Sequence, residues 1–351
     1  MQFYENETQF VTDLIATIRR EYPDITPIDH FKRVIYGERN DVFFLYGENN
    51  YVIRIIHHSI PFVGVRFIND WAIEAAKGCD VAVAPLMTKS GESFLDYGGK
   101  AVCLYPMIEG DHADPGDPLI RDDMAIRQAQ LHRIGYECPI KAPRPDRSQM
   151  LTFNFDNNFL YNWERVDSML RGGGRTLFED PRHQSDHDLA CAREIYQRRD
   201  SVYRAKEEFE RLVKQINDRH LSLTYAPIHG DIYSSNVLAK DHRISGIVDW
   251  DECNYDLTAY ELARTCFMFC DDDTHTTYDR KKAERFLKLY REHGGVTPES
   301  EYFLMVPMLR MLKYMDIMLY MHNTIIGDTW SPGYGLKCII ALEELAKVRF
   351  D

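Results

Sequence analysis

Apolar positions recur along the chain with two different periods. Residues 7 to 20 carry Phe10, Leu14, Ile15 and Ile18 three to four apart, which predicts an amphipathic helix. The runs HFKRVIYGERNDVFFLYG and NNYVIRIIHH are rich in β-branched and aromatic residues, and GENN between them reads as a hairpin turn. PFVGVRFINDWAIEAAKG returns to helical spacing and stops at Gly78. VAVAPLM, ESFLDYGG and KAVCLYPMIEG read as further strands. Helix, strands, helix, strands fits a small lobe built on an antiparallel sheet.

After Gly110 the texture changes. DHADPGDP is a loop of Pro, Asp and Gly, LIRDDMAIRQAQLHRIG is helical, and residues 139 to 150 form a Pro-rich, basic connector. Residues 157 to 171 and 188 to 218 read as helices separated by RGGGR. A short β insertion at 226 to 250 interrupts this helical part. Helical patterns then fill 256 to 270, 279 to 293, 298 to 323 and 333 to 349. The predicted class is α+β with two lobes, an N-terminal lobe over 1–108 and a larger, mainly helical lobe over 109–351. A chain of 351 residues exceeds what a single simple core holds.

Composition changes this picture little: 44% hydrophobic and 28% charged residues describe an ordered globular protein. The formal net charge of -13 disfavours nucleic-acid backbones and anionic membranes and attracts cations. Eight cysteines are scattered without CxxC spacing, so neither a zinc site nor a disulfide framework is expected. The first ten residues lack the pattern of a signal peptide, and no apolar run approaches the roughly 18 residues of a membrane span. A cytoplasmic protein is expected.

The chemistry concentrates in the β insertion. IHGDIYSSNVL, residues 228 to 238, holds His229, Asp231 and Asn236 between apolar flanks. NVLAK and ISGIVDW around DHR read as a hairpin, which would bring Asn236 to Asp249 with Asp231 nearby. One amide and one carboxylate are hard oxygen donors that suit Mg²⁺ bound together with phosphates, and a remaining carboxylate can take a hydroxyl proton. Two other readings stand beside this one: ordinary turn residues, and a carboxylate metal site for hydrolysis, which lacks the further His and acidic ligands that two-metal hydrolases use.

HGDIYSSNVL followed by GIVDWDE resembles the catalytic loop and metal segment of the aminoglycoside phosphotransferase and choline kinase family, small-molecule relatives of the protein kinases. The resemblance implies a two-lobed protein-kinase-like fold. It implies Asp231 as the base that orients the acceptor hydroxyl, Asn236 and Asp249 as Mg²⁺ ligands, and His229 as organiser of the loop. Arg54 in YVIRI stands where protein kinases carry Lys and would hold the nucleotide phosphates. Asp70, or Glu74 one turn on, would hold Arg54. Gly37 and Asn40 lie in YGERND, the turn expected over the phosphates. Tyr105, Pro106 and Ile108 lie in LYPMIEG, the expected hinge beside the base.

The resemblance further implies transfer of the γ-phosphate of ATP or GTP to an alcohol. Asp251, Glu252 and Asp256, with Asp271, Asp272 and Asp273 beyond them, favour a cationic acceptor, an aminoglycoside-type antibiotic first. Choline, homoserine, a neutral sugar or nucleoside, and a pseudokinase-like binding module are the alternatives.

Overall fold

A computed structural model describes residues 7–34, 40–152, 167–168, 170, 185–272, 274–326 and 332–348 of the chain. Alternation builds its first layer. In β2 (Asp41–Gly47) and β3 (Tyr51–Ile55), Phe43, Leu45, Tyr51, Ile53 and Ile55 point to one face. On that face α1 (Glu7–Glu21) lays Val11, Leu14 and Ile18. β1 (Ile28–Val34), β4 (Leu95–Tyr97) and β5 (Lys100–Pro106) complete an antiparallel sheet of order β1-β2-β3-β5-β4. A second core on the other face gathers Ile56, Val65, Val83, Phe94, Ala101, Cys103 and Tyr105, with Val65 supplied by α2 (Phe62–Ala76). Arg54 alternates away from Ile53 and Ile55, in register with Val42 on one neighbour and Cys103 on the other.

VAVAPLM does not form a strand. It makes one parallel bridge, Ala82 to Ile247, where the Val83 amide donates to the Ile247 carbonyl at 3.1 Å, and further on the Leu86 amide donates to the Leu104 carbonyl at 2.7 Å. Ile247 belongs to β9 (Arg243–Ile247), which pairs with β8 (Val237–Lys240) as the expected hairpin. β6 (Asp111–His112) adds a third strand on β8. α3 (Pro118–Glu137) starts at Asp117, whose carboxylate accepts the Leu119 amide at 2.8 Å, with Pro118 at the first helical position.

The remaining elements are helices and a two-stranded sheet. The run 188 to 218 is two helices, α4 (Asp186–Gln197) and α5 (Arg199–Asp218). β7 (Tyr225–Ile228) leads into the IHGD loop, and β10 (Asn254–Leu257) leads into α6 (Thr258–Cys270). α7 (Arg280–Glu292), α8 (Met305–Ile326) and α9 (Pro332–Leu345) follow. The helix expected over 157 to 171 and the RGGGR segment fall almost wholly outside the described residues.

The chain resolves into two compact units, Met1–Ser148 with Ala226–Tyr255, and Gln149–Tyr225 with Asp256–Asp351. This division differs from a boundary after residue 108. The hydrogen bonding agrees with the division: β8 pairs with β6 in a separate sheet, and β9 joins residues 81 to 83, so the hairpin belongs with the unit of Met1–Ser148. All eight cysteines are buried thiols outside any disulfide. No helix among the described residues is long and apolar enough to cross a membrane.

Candidate active site

Gly230 shapes the loop after β7. It sits at φ +79°, and a Cβ there would lie 2.3 Å from the Glu252 carbonyl oxygen, so only glycine fits. His229 is buried beside it. Its Nδ1 accepts the Asp231 amide at 3.2 Å, so the proton sits on Nε2, which donates to the Val248 carbonyl at 2.9 Å. Its ring lies 4.6 Å from that of Trp250, and Trp250 Nε1 donates to the Val83 carbonyl. His229 is thus tied on both sides.

Asn236 ends a short 3₁₀ turn, Ser234–Asn236. Its Nδ2 donates to the Asp231 carboxylate and main-chain carbonyl, both at 3.0 Å. Its own carbonyl accepts the Val248 amide at 3.0 Å, and Val237 pairs with Ile247. The hairpin therefore sets Asn236 against Val248, just past the end of β9 and one residue before Asp249.

Asp249 turns the chain at φ 64°, ψ 66°, a left-handed conformation that costs a non-glycine residue about 1 kcal/mol or more. Its half-exposed carboxylate meets the Arg54 guanidinium at 2.8 Å through Oδ1, and Oδ2 has no partner among the described residues. Arg54 also reaches Asp251 at 3.1 Å. Burial lowers the pKa of the guanidinium, but Asp249 and Asp251 outweigh it and hold Arg54 charged. Asp251 is buried in the turn Trp250–Glu252, where burial pushes its carboxyl up against the pull of Arg54. Asn40 Nδ2 donates to the same carboxylate at 2.5 Å, while Asn40 Oδ1 accepts the His57 amide.

A model of the phosphotransferase enzyme family matches residues 30–296, more than half of the chain. The chain belongs to the phosphotransferase enzyme family. It is 23% identical over 302 residues to a homoserine kinase of Afipia carboxidovorans, covering 84% of this chain and 78% of that protein. Among solved structures, spectinomycin phosphotransferase APH(9)-Ia in complex with ADP and spectinomycin has a TM-score of 0.64 at 14% identity, over 95% of this chain and 93% of that one. Amicoumacin kinase hAmiN in complex with AMP-PNP, Ca²⁺ and Ami has a TM-score of 0.57 at 14% identity, over 97% of this chain and 96% of that one. The α+β, protein-kinase-like fold expected from the sequence is the fold these structures share. The chain is a phosphotransferase.

Within this phosphotransferase, several expected residues lie elsewhere than their spacing suggested. Asp70 is exposed on α2, and Glu74, on the same outer line, pairs with Lys77 at 2.5 Å. The inward line of α2 is Val65, Ile68, Asn69, Ala72 and Ala75. Helical phase therefore turns both acids outward, and neither is a partner of Arg54. The three acids expected to face a cationic acceptor are engaged inside the protein. Asp251 holds Arg54 and Asn40, Glu252 is ion-paired with Arg147, and the Asp256 carboxylate accepts the amides of Met150 and Leu257, both at 2.8 Å. Asp271 pairs with His275, and Asp272 accepts from Thr274. Gly37 and Asp273 lie outside the described residues.

At the expected hinge, Tyr105 is buried, Pro106 lies opposite Tyr51, and the Met107 amide donates to the Asn50 carbonyl. The Ile108 amide has no hydrogen-bond partner among the described residues. The Ile108 side chain packs over Gly246, where a Cβ would come within 3.0 Å of it. With Val52, Tyr105 and Val248 it joins one apolar cluster.

Sequence reading passed over Arg144. It lies in the Pro-rich connector, buried, and its Nη1 donates to the carbonyls of Asp251 and Cys253. Asp146 completes its pairing at 2.9 Å, and the Asn254 amide group bridges Arg144 and Ser148. The signal was a basic KAPRPDR segment in a chain whose DWDE segment is acidic. Arg144→Ala is expected to lower stability by about 3 kcal/mol, because it leaves carbonyls and a carboxylate without their donor. A urea-unfolding midpoint shifted by less than a third of that would remove Arg144 as the clamp of this turn.

Among the described residues no group of three His, Cys, Asp or Glu suits a metal ion. The amide oxygen of Asn236 and Oδ2 of Asp249 are hard donors with no other partner among the described residues. Two such oxygens fit a divalent cation that completes its shell with water and phosphate oxygens.

Proposed function

We propose that the chain is a small-molecule kinase that moves the γ-phosphoryl group of ATP or GTP, with Mg²⁺, onto the hydroxyl of an amine-bearing acceptor, giving a phosphomonoester and the nucleoside diphosphate. The observation that carries it is the Asp231–Asn236 hydrogen bond at 3.0 Å, set at the end of the hairpin that leads to Asp249. Asp231, held by Asn236, orients the acceptor hydroxyl and takes its proton as the oxygen attacks phosphorus. Arg54 offers a charged fork to the nucleotide phosphates. Asn236 and Asp249 would hold a magnesium ion, which would neutralise phosphate charge. Val52, Tyr105, Ile108 and Val248 offer an apolar wall for the base, and the Ile108 amide offers it a donor. Positioning and charge stabilisation supply most of the rate.

The acceptor class rests on two supports. The net charge of -13 favours a cation, and the homoserine kinase relative and the spectinomycin phosphotransferase neighbour both carry names of amine-bearing alcohols. Homoserine, choline, ethanolamine, spectinomycin and an aminoglycoside form one arm of a test, with neutral sugars and nucleosides as the other. With ATP and GTP in turn, acceptor-dependent release of diphosphate is expected in the first arm. Turnover confined to the neutral arm would reject the acceptor class, and no turnover with no nucleotide binding would reject the reading as a whole.

A further inference from the structure

A buried guanidinium needs partners that stay with it. The two carboxylates on Arg54 differ in this respect. Asp249 is half exposed, has one unengaged oxygen, and under the proposed function serves the cation. Asp251 is buried, shares Oδ2 between Arg54 at 3.1 Å and Asn40 at 2.5 Å, and has its main-chain oxygen held by Arg144. α2 offers no acid toward Arg54. Its inward polar residue beside the Arg54 row is Asn69, whose Nδ2 reaches Ser93 and the thiol of Cys103, the cross-strand neighbour of Arg54.

We propose that Asp251 is the positioning residue of Arg54: it keeps the guanidinium aimed at the nucleotide phosphates while Asp249 serves the metal, the work expected of an acid on α2. The inference rests on the reading of this site as a nucleotide site. It gives the second acid of the DWD triplet a task distinct from that of the first. Without the Asp251 charge, Arg54 has only Asp249, and guanidinium and cation then compete for one carboxylate. Loss of Asp251 therefore weakens nucleotide binding and raises the magnesium concentration required for it. A merely structural role would lower the melting temperature without moving the magnesium midpoint.

Asp251→Asn keeps the volume and an oxygen for Asn40 but removes the charge. Calorimetric titration of AMP-PNP at fixed magnesium, and of magnesium at fixed AMP-PNP, compares it with the wild type, Asp70→Asn and Glu74→Gln. Asp251→Asn is expected to bind AMP-PNP about tenfold more weakly and to need several-fold more magnesium, the size of one lost charged hydrogen bond. Asp70→Asn and Glu74→Gln are expected to stay within about twofold of the wild type on both measures. Asn40→Ser, which removes the donor that aims Asp251, is the companion variant, and a smaller shift of the same two quantities is expected. Wild-type values for Asp251→Asn, weaker nucleotide binding with an unmoved magnesium midpoint, or a larger loss in Asp70→Asn would overturn the inference. A wild-type protein that binds no AMP-PNP would overturn the nucleotide reading itself.

Discussion

Asp231→Asn loses phosphoryl transfer by about 10²–10⁴-fold while its affinity for nucleotide stays near that of the wild type. The substitution keeps the shape of the side chain and an oxygen for the Asn236 donor, so the loop it anchors is retained. What goes is the basic oxygen that takes the hydroxyl proton, an interaction made only as the acceptor attacks. A single-turnover assay beside a nucleotide titration separates the two quantities. Transfer at wild-type rate would remove Asp231 from the chemistry.

Gly230→Ala has the largest expected effect on the folded state. The methyl group would stand 2.3 Å from the Glu252 carbonyl oxygen, at a backbone angle of φ +79° that alanine adopts only with strain. Neither neighbour can yield cheaply. His229 and Asp231 are bonded to each other across the glycine, and Glu252 closes the turn Trp250–Glu252 that Asp249 opens and Asp251 sits in. The expected loss is about 3 kcal/mol or more, read as a lower midpoint in urea or as insoluble protein. A wild-type midpoint would show that the loop has slack that its contacts deny.

Much of this was legible from local pattern. The alternation of residues 41 to 55 specified strands, and two apolar runs around DHR specified the hairpin that sets Asn236 beside the end of β9. The residues that escaped depend on phase and on distant partners. Asp70 stands sixteen residues past Arg54, but spacing along the chain does not say which side of a helix a residue takes; the buried line through Val65, Ile68, Ala72 and Ala75 does. Arg144 has no periodicity to betray it, and the carbonyls it holds, those of Asp251 and Cys253, lie more than 100 residues away. Asp251, Glu252 and Asp256 read as acids facing a cationic acceptor because their partners, Arg54, Arg147 and the Met150 amide, come from separate stretches of chain. VAVAPLM reads as a strand from its apolarity, but a single bridge at Ala82 is all the ladder it finds.

The buried thiols have a practical use. Cys79, Cys103, Cys138 and Cys253 belong to the unit of Met1–Ser148 with Ala226–Tyr255, and Cys191, Cys266, Cys270 and Cys338 to the other. A reagent that alkylates only solvent-accessible sulfur reaches each set when its own unit opens. Peptide mass spectrometry after a timed pulse of such a reagent then follows the two halves of the molecule as separate clocks, with no label or mutation introduced.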